Sequence, residues 1–344
     1  MSLPKLFVFT LLSALILIGS GIVFKKCTRN VSSDVPQLPP QPATMPIAYS
    51  PTLTVEISVE PVVGPATALA IPSKETSSIP IEDHSPRPQL PEVDRVQELF
   101  RLDSSSLPIV ETITYHSKVP WQKGRAAWLS DYATYYQTSR HFMARSLNKR
   151  PDYLKQEVAE GDRLNVLRKE YPFQFYFLVD TSLCKMWFYY LHTEKQTKTL
   201  LKTYSVGLGR VDGSKTSGLL TPLGKYQLGG KTAVYQPKTM GTYKGKNIEM
   251  ISVFGTRWIP FEKEVGFCTA PARGFGLHGT PWIRGKDGVS REEKESIGKF
   301  ESDGCIRLAT ADMEEIYAIV ITKPTTIEIV SDYAKADLMK WKDD

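Results

Sequence analysis

Ser302-Asp303-Gly304-Cys305-Ile306-Arg307-Leu308 and, upstream of it, Gly276-Leu277-His278-Gly279-Thr280 are the two segments around which the rest of the chain is organised. The cysteine follows one glycine, and a Gly-flanked histidine lies 27 positions before it. A thiol attacks as thiolate, and an imidazole beside it can take its proton and later return it to an amine. Cys305 and His278 are the candidates for these roles. Gly304 leaves room for the Gly304 and Cys305 N–H groups to face a developing oxyanion. Arg307 suits a bidentate grip on a carboxylate. These residue types in this order point to acyl transfer by cysteine. A zinc site from Cys268, His278 and Cys305 is set aside, because no paired Cys-x-x-Cys spacing accompanies them.

The same segments resemble the catalytic domain of the L,D-transpeptidase family, the YkuD type. Its signature is His-Gly-Thr followed by Ser-His-Gly-Cys-Ile-Arg-Leu, and here His278-Gly279-Thr280 and Ser302 to Leu308 stand in those places. Thr221-Pro222-Leu223-Gly224-Lys225-Tyr226 matches a third family segment, Thr-Pro-x-Gly-x-aromatic. The similarity covers about residues 173 to 331. It departs from the family at Asp303, where a second histidine is usual, and in a longer stretch between His278 and Cys305. The resemblance implies a peptidoglycan substrate and no cofactor or metal. Cys305 would attack the third-residue carbonyl of a stem peptide, expel the terminal D-alanine and form a thioester that an amine resolves. His278 would be base and then acid, oriented by the Gly279 backbone, with Ser302, Asp303 and Arg307 at the substrate and Gly304 and Cys305 supplying the oxyanion donors. Water in place of the amine would make an L,D-carboxypeptidase. A non-catalytic wall-binding protein disabled by Asp303 is the alternative from another class. A sortase is disfavoured because its Thr-Leu-x-Thr-Cys motif is absent from the sequence.

Outward from this domain, the 344-residue chain divides by composition. Leu6 to Phe24 carries no charge and is flanked by Lys5 and by Lys25, Lys26 and Arg29, long enough for a single membrane span within residues 1–30. A cleaved signal with Gly19-Ser20-Gly21 as its small residues is the competing view. More Lys and Arg follow the span than precede it, which by charge alone favours a cytoplasmic C-terminal part. The resemblance outweighs this and places the catalytic domain on the extracytoplasmic, periplasmic side. Residues 31–108 are expected to form a disordered linker, since residues 31–91 hold 13 of the 24 prolines. Val55 to Val59 is a minor strand candidate. The net charge of +6 with interleaved signs, as in Arg291-Glu292-Glu293-Lys294, gives no reason to expect nucleic acid.

Residues 109–170 show strand, helix, helix and strand patterns in turn: Glu111 to His116, Ala126 to Tyr136, a helix from Thr138-Ser139 to Asn148, and a strand after Gly161-Asp162. This small α+β unit is similar to a LysM module, a glycan-binding fold, most clearly at Tyr136-Gln137-Thr138-Ser139, Leu147-Asn148 and Gly161-Asp162-Arg163-Leu164. Lys123-Gly124-Arg125-Ala126 replaces its first Gly-Asp-Thr-Leu segment.

Residues 171–332 read as a mainly-β domain, sandwich- or barrel-like, from short apolar runs punctuated by Gly and Pro. Phe173 to Val179 and Leu183 to Leu191 suggest a hairpin, and Leu200 to Val206, Gly224 to Leu228, Glu249 to Phe254 and Thr326 to Val330 suggest further strands. Gly207-Leu208-Gly209 lacks the third glycine of a nucleotide loop. Ser290-Arg291-Glu292-Glu293 has the spacing of a helix capping box, so a short helix ending near Gly298 is expected, within a segment that would cover the site as a lid. Met313, Ile316, Tyr317 and Val320 mark a helix. Residues 333–344 are expected to be a polar tail. Cys184 and Cys268 are the pair available for a disulfide in an oxidising compartment.

Overall fold

The computed structural model describes residues 90–102, 107–148 and 158–344, and the side chain of Asn148 is not included. The expected span at 1–30, the strand candidate at 55–59 and the linker up to residue 89 lie outside the described residues. Among the described residues, no helix is long and apolar enough to cross a membrane.

After a 3-10 turn at Val96–Phe100 come β1 (Val110–Thr114), α1 (Leu129–Tyr135), α2 (Arg140–Asn148) and β2 (Arg163–Leu167). β1 and β2 pair antiparallel, with Val110 opposite Leu167 and Thr114 opposite Arg163. The Asp131 carboxylate accepts from the Trp128 amide at 2.8 Å and closes the first turn of α1, where the helix has an unsatisfied donor. Tyr115, Leu129, Tyr132, Met143, Leu164 and Val166 form the interior of this unit.

The larger part contains β3 (Phe173–Asp180), β4 (Lys185–His192), β5 (Thr197–Ser205), β6 (Leu208–Gly209), β7 (Gly224–Leu228), β8 (Ala233–Val234), β9 (Met240–Tyr243) and β10 (Lys246–Glu249). It continues through α3 (Ile251–Phe254), β11 (Arg257–Cys268), β12 (Gly276–Gly279), β13 (Trp282–Arg284), β14 (Ser290–Glu292), β15 (Phe300–Ser302), β16 (Ile306–Leu308), α4 (Thr310–Val320), β17 (Thr325–Val330) and β18 (Lys342–Asp343). One curled, mixed sheet runs β16-β12-β11-β7-β17-β3-β4-β5-β18, with β8 on β11. β3 and β4 form the expected hairpin. Asp180 Oδ1 closes its turn by accepting from the amide and hydroxyl of Ser182 and the amide of Leu183.

Both faces of this sheet are covered, which explains the near-continuous apolar runs of β3 and β4. Alternation sends Phe175, Phe177 and Val179 into the main core with Met313, Ile316 and Val320 of α4. It sends Tyr176 and Leu178 to the other face, where Trp187, Tyr189, Ala336 and Leu338 meet them. The end of the chain is therefore no polar tail: Tyr333 packs on Trp187 with ring centroids 4.6 Å apart, and β18 pairs parallel with β5. Glu328 accepts from the Tyr176 hydroxyl and from the Asp337 and Leu338 amides, which satisfies a buried carboxylate. An apolar outer sheet face needed a cover, and the apolar residues among the charges of 333–341 provide it.

The linker expectation also stops short of residue 108. Residues 90–102 lie along β5 and β4, with Pro91 O accepting from Trp187 Nε1 at 2.8 Å and the Thr203 amide donating to Val93 O at 3.0 Å. Val96 and Leu99 are fully buried. Asn165 in β2 donates to Leu99 O and Arg101 O, so this strap ties the small unit to the large one. The small unit is not a separate globule either, because Ile109, Val110, Phe142 and Leu167 join the main core.

Two local expectations change. Ile251-Ser252-Val253-Phe254 is helical rather than extended: the run is too short for its period to discriminate, and Gly255 at φ +61° ends it. Ser290 to Glu292 is a strand of the β13–β14 hairpin, not a helix start. Asp287-Gly288 turns that hairpin, with Asp287 Oδ1 accepting from the Val289 amide and Gly288 at φ +76°.

Candidate active site

The site lies at the β16–β12–β11 end of the sheet. Trp258, Ile259 and Pro260 of β11 pair with His278, Leu277 and Gly276 of β12, whereas after a register shift near Phe261 the same strand pairs with β7. β12 thus pairs with the first part of β11 in the same sheet and carries β16 on its other side, in parallel register: Leu277 faces Ile306 and His278 faces Arg307. Cys305 is the residue just before β16, so the register sets it beside Gly276, diagonal to His278 on the same face. The two segments singled out in the sequence become neighbouring strands.

His278 is 3% exposed, with the rings of Phe254 and Trp258 at 5.4 and 5.9 Å. Its Nδ1 lies 2.7 Å from Gly279 O. A carbonyl only accepts, so Nδ1 carries the proton there and Nε2 is left with the lone pair, the form required of a base. Burial pushes the imidazole down to about 4; the Gly279 carbonyl opposes this and the Arg307 charge adds to it. Burial likewise pushes the Cys305 thiol up to about 11, against a backbone hydrogen bond from Gly276 and the Arg307 charge, with Asp303 adding a small further rise. The Sγ lies 3.7 Å from Gly274 O. Both shifts favour the neutral thiol and neutral imidazole at rest, so the proton would move during attack and not before it.

The turn ahead of Cys305 is held from several sides. Gly304 has φ +119°, and a Cβ there would stand 2.6 Å from the Phe275 ring and 2.8 Å from Leu220 O, so only glycine fits. Ser302 is buried; its hydroxyl accepts from the Gly304 amide at 3.1 Å and donates to Cys305 O at 2.6 Å. Ser302 accordingly braces the turn and is not placed to touch substrate. The Gly304 N–H, committed to Ser302, is withdrawn from the expected oxyanion pair, and Gly304 serves through its conformation instead. Thr221 Oγ1 donates to Gly304 O at 3.0 Å and accepts from the Gly209 amide at 2.7 Å.

Asp303 sits in a charged clasp. Its carboxylate meets Lys244 Nζ and Arg210 Nη2, each at 2.6 Å, and accepts from the Tyr243 hydroxyl at 3.3 Å. The hydrogen bond from Lys244 leads the effects that hold it below the usual carboxylate range. Lys244 is in the turn of the β9–β10 hairpin, so this hairpin reaches the catalytic loop; Tyr243 also packs edge-on to Phe254, the ring beside His278. The segment expected as a lid is tied down through Glu292, which accepts from Thr280 Oγ1 and the Thr310 amide, both at 2.6 Å. Arg307 Nε is buried without a hydrogen-bond partner among the described residues.

Residues 174–329 match the YkuD family, the L,D-transpeptidase catalytic domain. Over 120 residues the chain is 31% identical to YqjB of Bacillus subtilis, a provisionally assigned L,D-transpeptidase, across 34% of this chain and 53% of that protein. The chain thus spans about half the length of that relative. Among solved structures, Bd1075 of Bdellovibrio bacteriovorus and the helical cell shape determining protein Pgp2 of Campylobacter jejuni are each 18% identical over 46% of this chain, covering 48% and 47% of theirs, with TM-scores of 0.30. Likeness at that level carries no argument about function. The matched segment begins in β3 and ends in β17, so it takes in both halves of the site and excludes the small unit before it.

Arg210, Tyr243, Lys244, Phe254 and Trp258 were not anticipated as part of the site. The Lys244-Gly245 dipeptide, with φ +48° and +73°, is a hairpin signal readable from sequence, but its destination is not. Cys184, Cys268 and Cys305 are all free thiols, and Cys268 Sγ is hydrogen-bonded to Lys225 O at 3.2 Å. Cys184 and Cys268, the pair available for a disulfide, are not bridged.

Proposed function

We propose that this chain is an L,D-transpeptidase that cross-links peptidoglycan through a Cys305 thioester. The observation that carries the proposal is the parallel β12–β16 register, which sets Cys305 diagonal to a buried His278 whose Nδ1–H is committed to Gly279 O. Cys305 Sγ attacks the carbonyl carbon of the third stem residue as His278 Nε2 takes the thiol proton. The carbonyl π electrons pass to the oxygen, and the resulting oxyanion accepts a hydrogen bond from the Cys305 N–H. Collapse breaks the amide bond, and the imidazolium proton leaves with the D-alanine amine. A stem amine then attacks the thioester by the reverse sequence and restores the thiol. Arg307 receives a stem carboxylate. Residues 109–170 hold glycan as a LysM-like module, and residues 1–30 tether the protein to the membrane with the YkuD domain on the periplasmic side.

The test is the intact mass of the full-length protein after mixing with a purified tetrapeptide stem, beside Cys305→Ala. A tripeptide adduct with released D-alanine in the wild type, absent from the variant, is expected. No adduct and no D-alanine from a folded protein with a reduced thiol would end the enzymatic proposal and favour a wall-binding protein. Whether added amine or water discharges the adduct separates transpeptidase from carboxypeptidase.

A further inference from the structure

We infer that Thr221 is a positioning residue that aims the Cys305 amide at the oxyanion, which gives the proposed acyl transfer a part contributed from outside the two catalytic segments. Thr221 is fully buried, and its one donor and its acceptor are committed to Gly304 O and the Gly209 amide. No peptide bond in the described residues is cis. In a trans peptide unit the carbonyl and the next N–H point in opposite directions. Fixing Gly304 O therefore fixes the direction of the Cys305 N–H, away from Thr221.

The hydroxyl is needed because the turn is otherwise soft at this point. Gly304 has no side chain to resist rotation of the Gly304–Cys305 peptide. Ser302 holds the peptides on either side, through the Gly304 amide and Cys305 O, and makes no bond to the one between them. Thr221 itself is rigidly carried: Pro222 restricts the backbone after it, and Gly209 touches it so closely that a Cβ on Gly209 would lie 2.5 Å from the Thr221 amide and 2.9 Å from Gly304 Cα. The amide that would bind the oxyanion is thus set by a contact across 83 positions of sequence.

The inference rests on Cys305 acylation, and two kinds of electrophile separate the inference from that premise. Iodoacetamide reacts at a saturated carbon and makes no oxyanion at a carbonyl undergoing attack, so it reports the thiol alone. A tetrapeptide stem and p-nitrophenyl acetate react at carbonyls and need the amide. Full-length Thr221→Val is expected to alkylate within about twofold of wild type, while acylation by both carbonyl reagents falls by about 10²–10³-fold, the scale of losing one oxyanion donor, and the stem's Kd stays unchanged. Thr221→Ser, which keeps the hydroxyl, should restore acylation. Acylation at the wild-type rate in Thr221→Val, or equal loss of alkylation and acylation, overturns the inference, the second because it would mean the whole turn had collapsed. If wild type is acylated by p-nitrophenyl acetate and never by the stem, the substrate proposal fails while the ester still decides the role of Thr221.

Discussion

The nucleophile turn and the hairpin clasp beside it are built from opposite materials. Residues 302–305 are held by buried neutral hydrogen bonds from Ser302 and Thr221 and by a glycine that nothing larger can replace. The β9–β10 hairpin is held to the same loop by a solvent-accessible carboxylate between two exposed cations. Buried hydrogen bonds are expensive to leave half made and indifferent to salt, whereas exposed ion pairs contribute little and are screened. The difference assigns rigidity to the reacting atoms and leaves the hairpin easy to displace.

The sharpest way to break that contrast is at Gly304. Gly304→Ala places a Cβ against Phe275 at positive φ and is expected to lose acylation altogether and to destabilise the fold by roughly 1–3 kcal/mol, read by denaturant unfolding. An active, stable variant would show the turn to be far softer than its contacts imply.

Acid comes next. His278 titrates near 4 when folded, well below the ordinary value of 6.5, so between those values the unfolded chain binds the extra proton and stability falls as pH drops. At about 1.4 kcal/mol for each pH unit across that window, the loss approaches roughly 3 kcal/mol by pH 4, and His278→Gln should remove that slope from the unfolding free energy measured against pH. Acylation should likewise hold its rate from neutral pH down to an acid midpoint near 4 in single-turnover measurements. Alkylation by iodoacetamide should instead climb toward a midpoint near 11, the thiol's own. An acylation midpoint at the ordinary imidazole value of 6.5 would mean a solvated ring.

The smallest effect is expected at the clasp. Asp303→Asn should leave thermal stability nearly unchanged and speed amide exchange in residues 240–249. It should also raise alkylation of Cys305 slightly at fixed pH, because the carboxylate adds to the rise in the thiol's pKa. High salt on the wild type should reproduce the exchange result. A large loss of stability would place the clasp among the structural supports of the fold.

Much of this was legible in the residues. The Gly-flanked cysteine and histidine, the β3–β4 hairpin and the apolar face of α4 are local patterns, and local patterns report turn chemistry and periodicity faithfully. Legibility failed where a short run fits two periods, as at Ile251–Phe254, and where the capping spacing at Ser290 stands beside a turn, Asp287-Gly288, that makes a hairpin there. It failed again at the strap and the chain end, whose few apolar residues among Pro, Lys and Asp have no periodicity and are ordered by the sheet faces they cover.

From the sequence alone came the chemistry on offer: a thiol, an imidazole, an arginine and the glycines that let backbone approach them. Which nitrogen of His278 is the base, which amide of the turn is committed to Ser302, and what Asp303 does were decided by tertiary structure alone. These depend on partners such as Thr221 with Gly304 and Lys244 with Asp303, 83 and 59 positions apart. A hydrogen bond has no sequence signature at that range, because its partners are chosen by the sheet that brings them together.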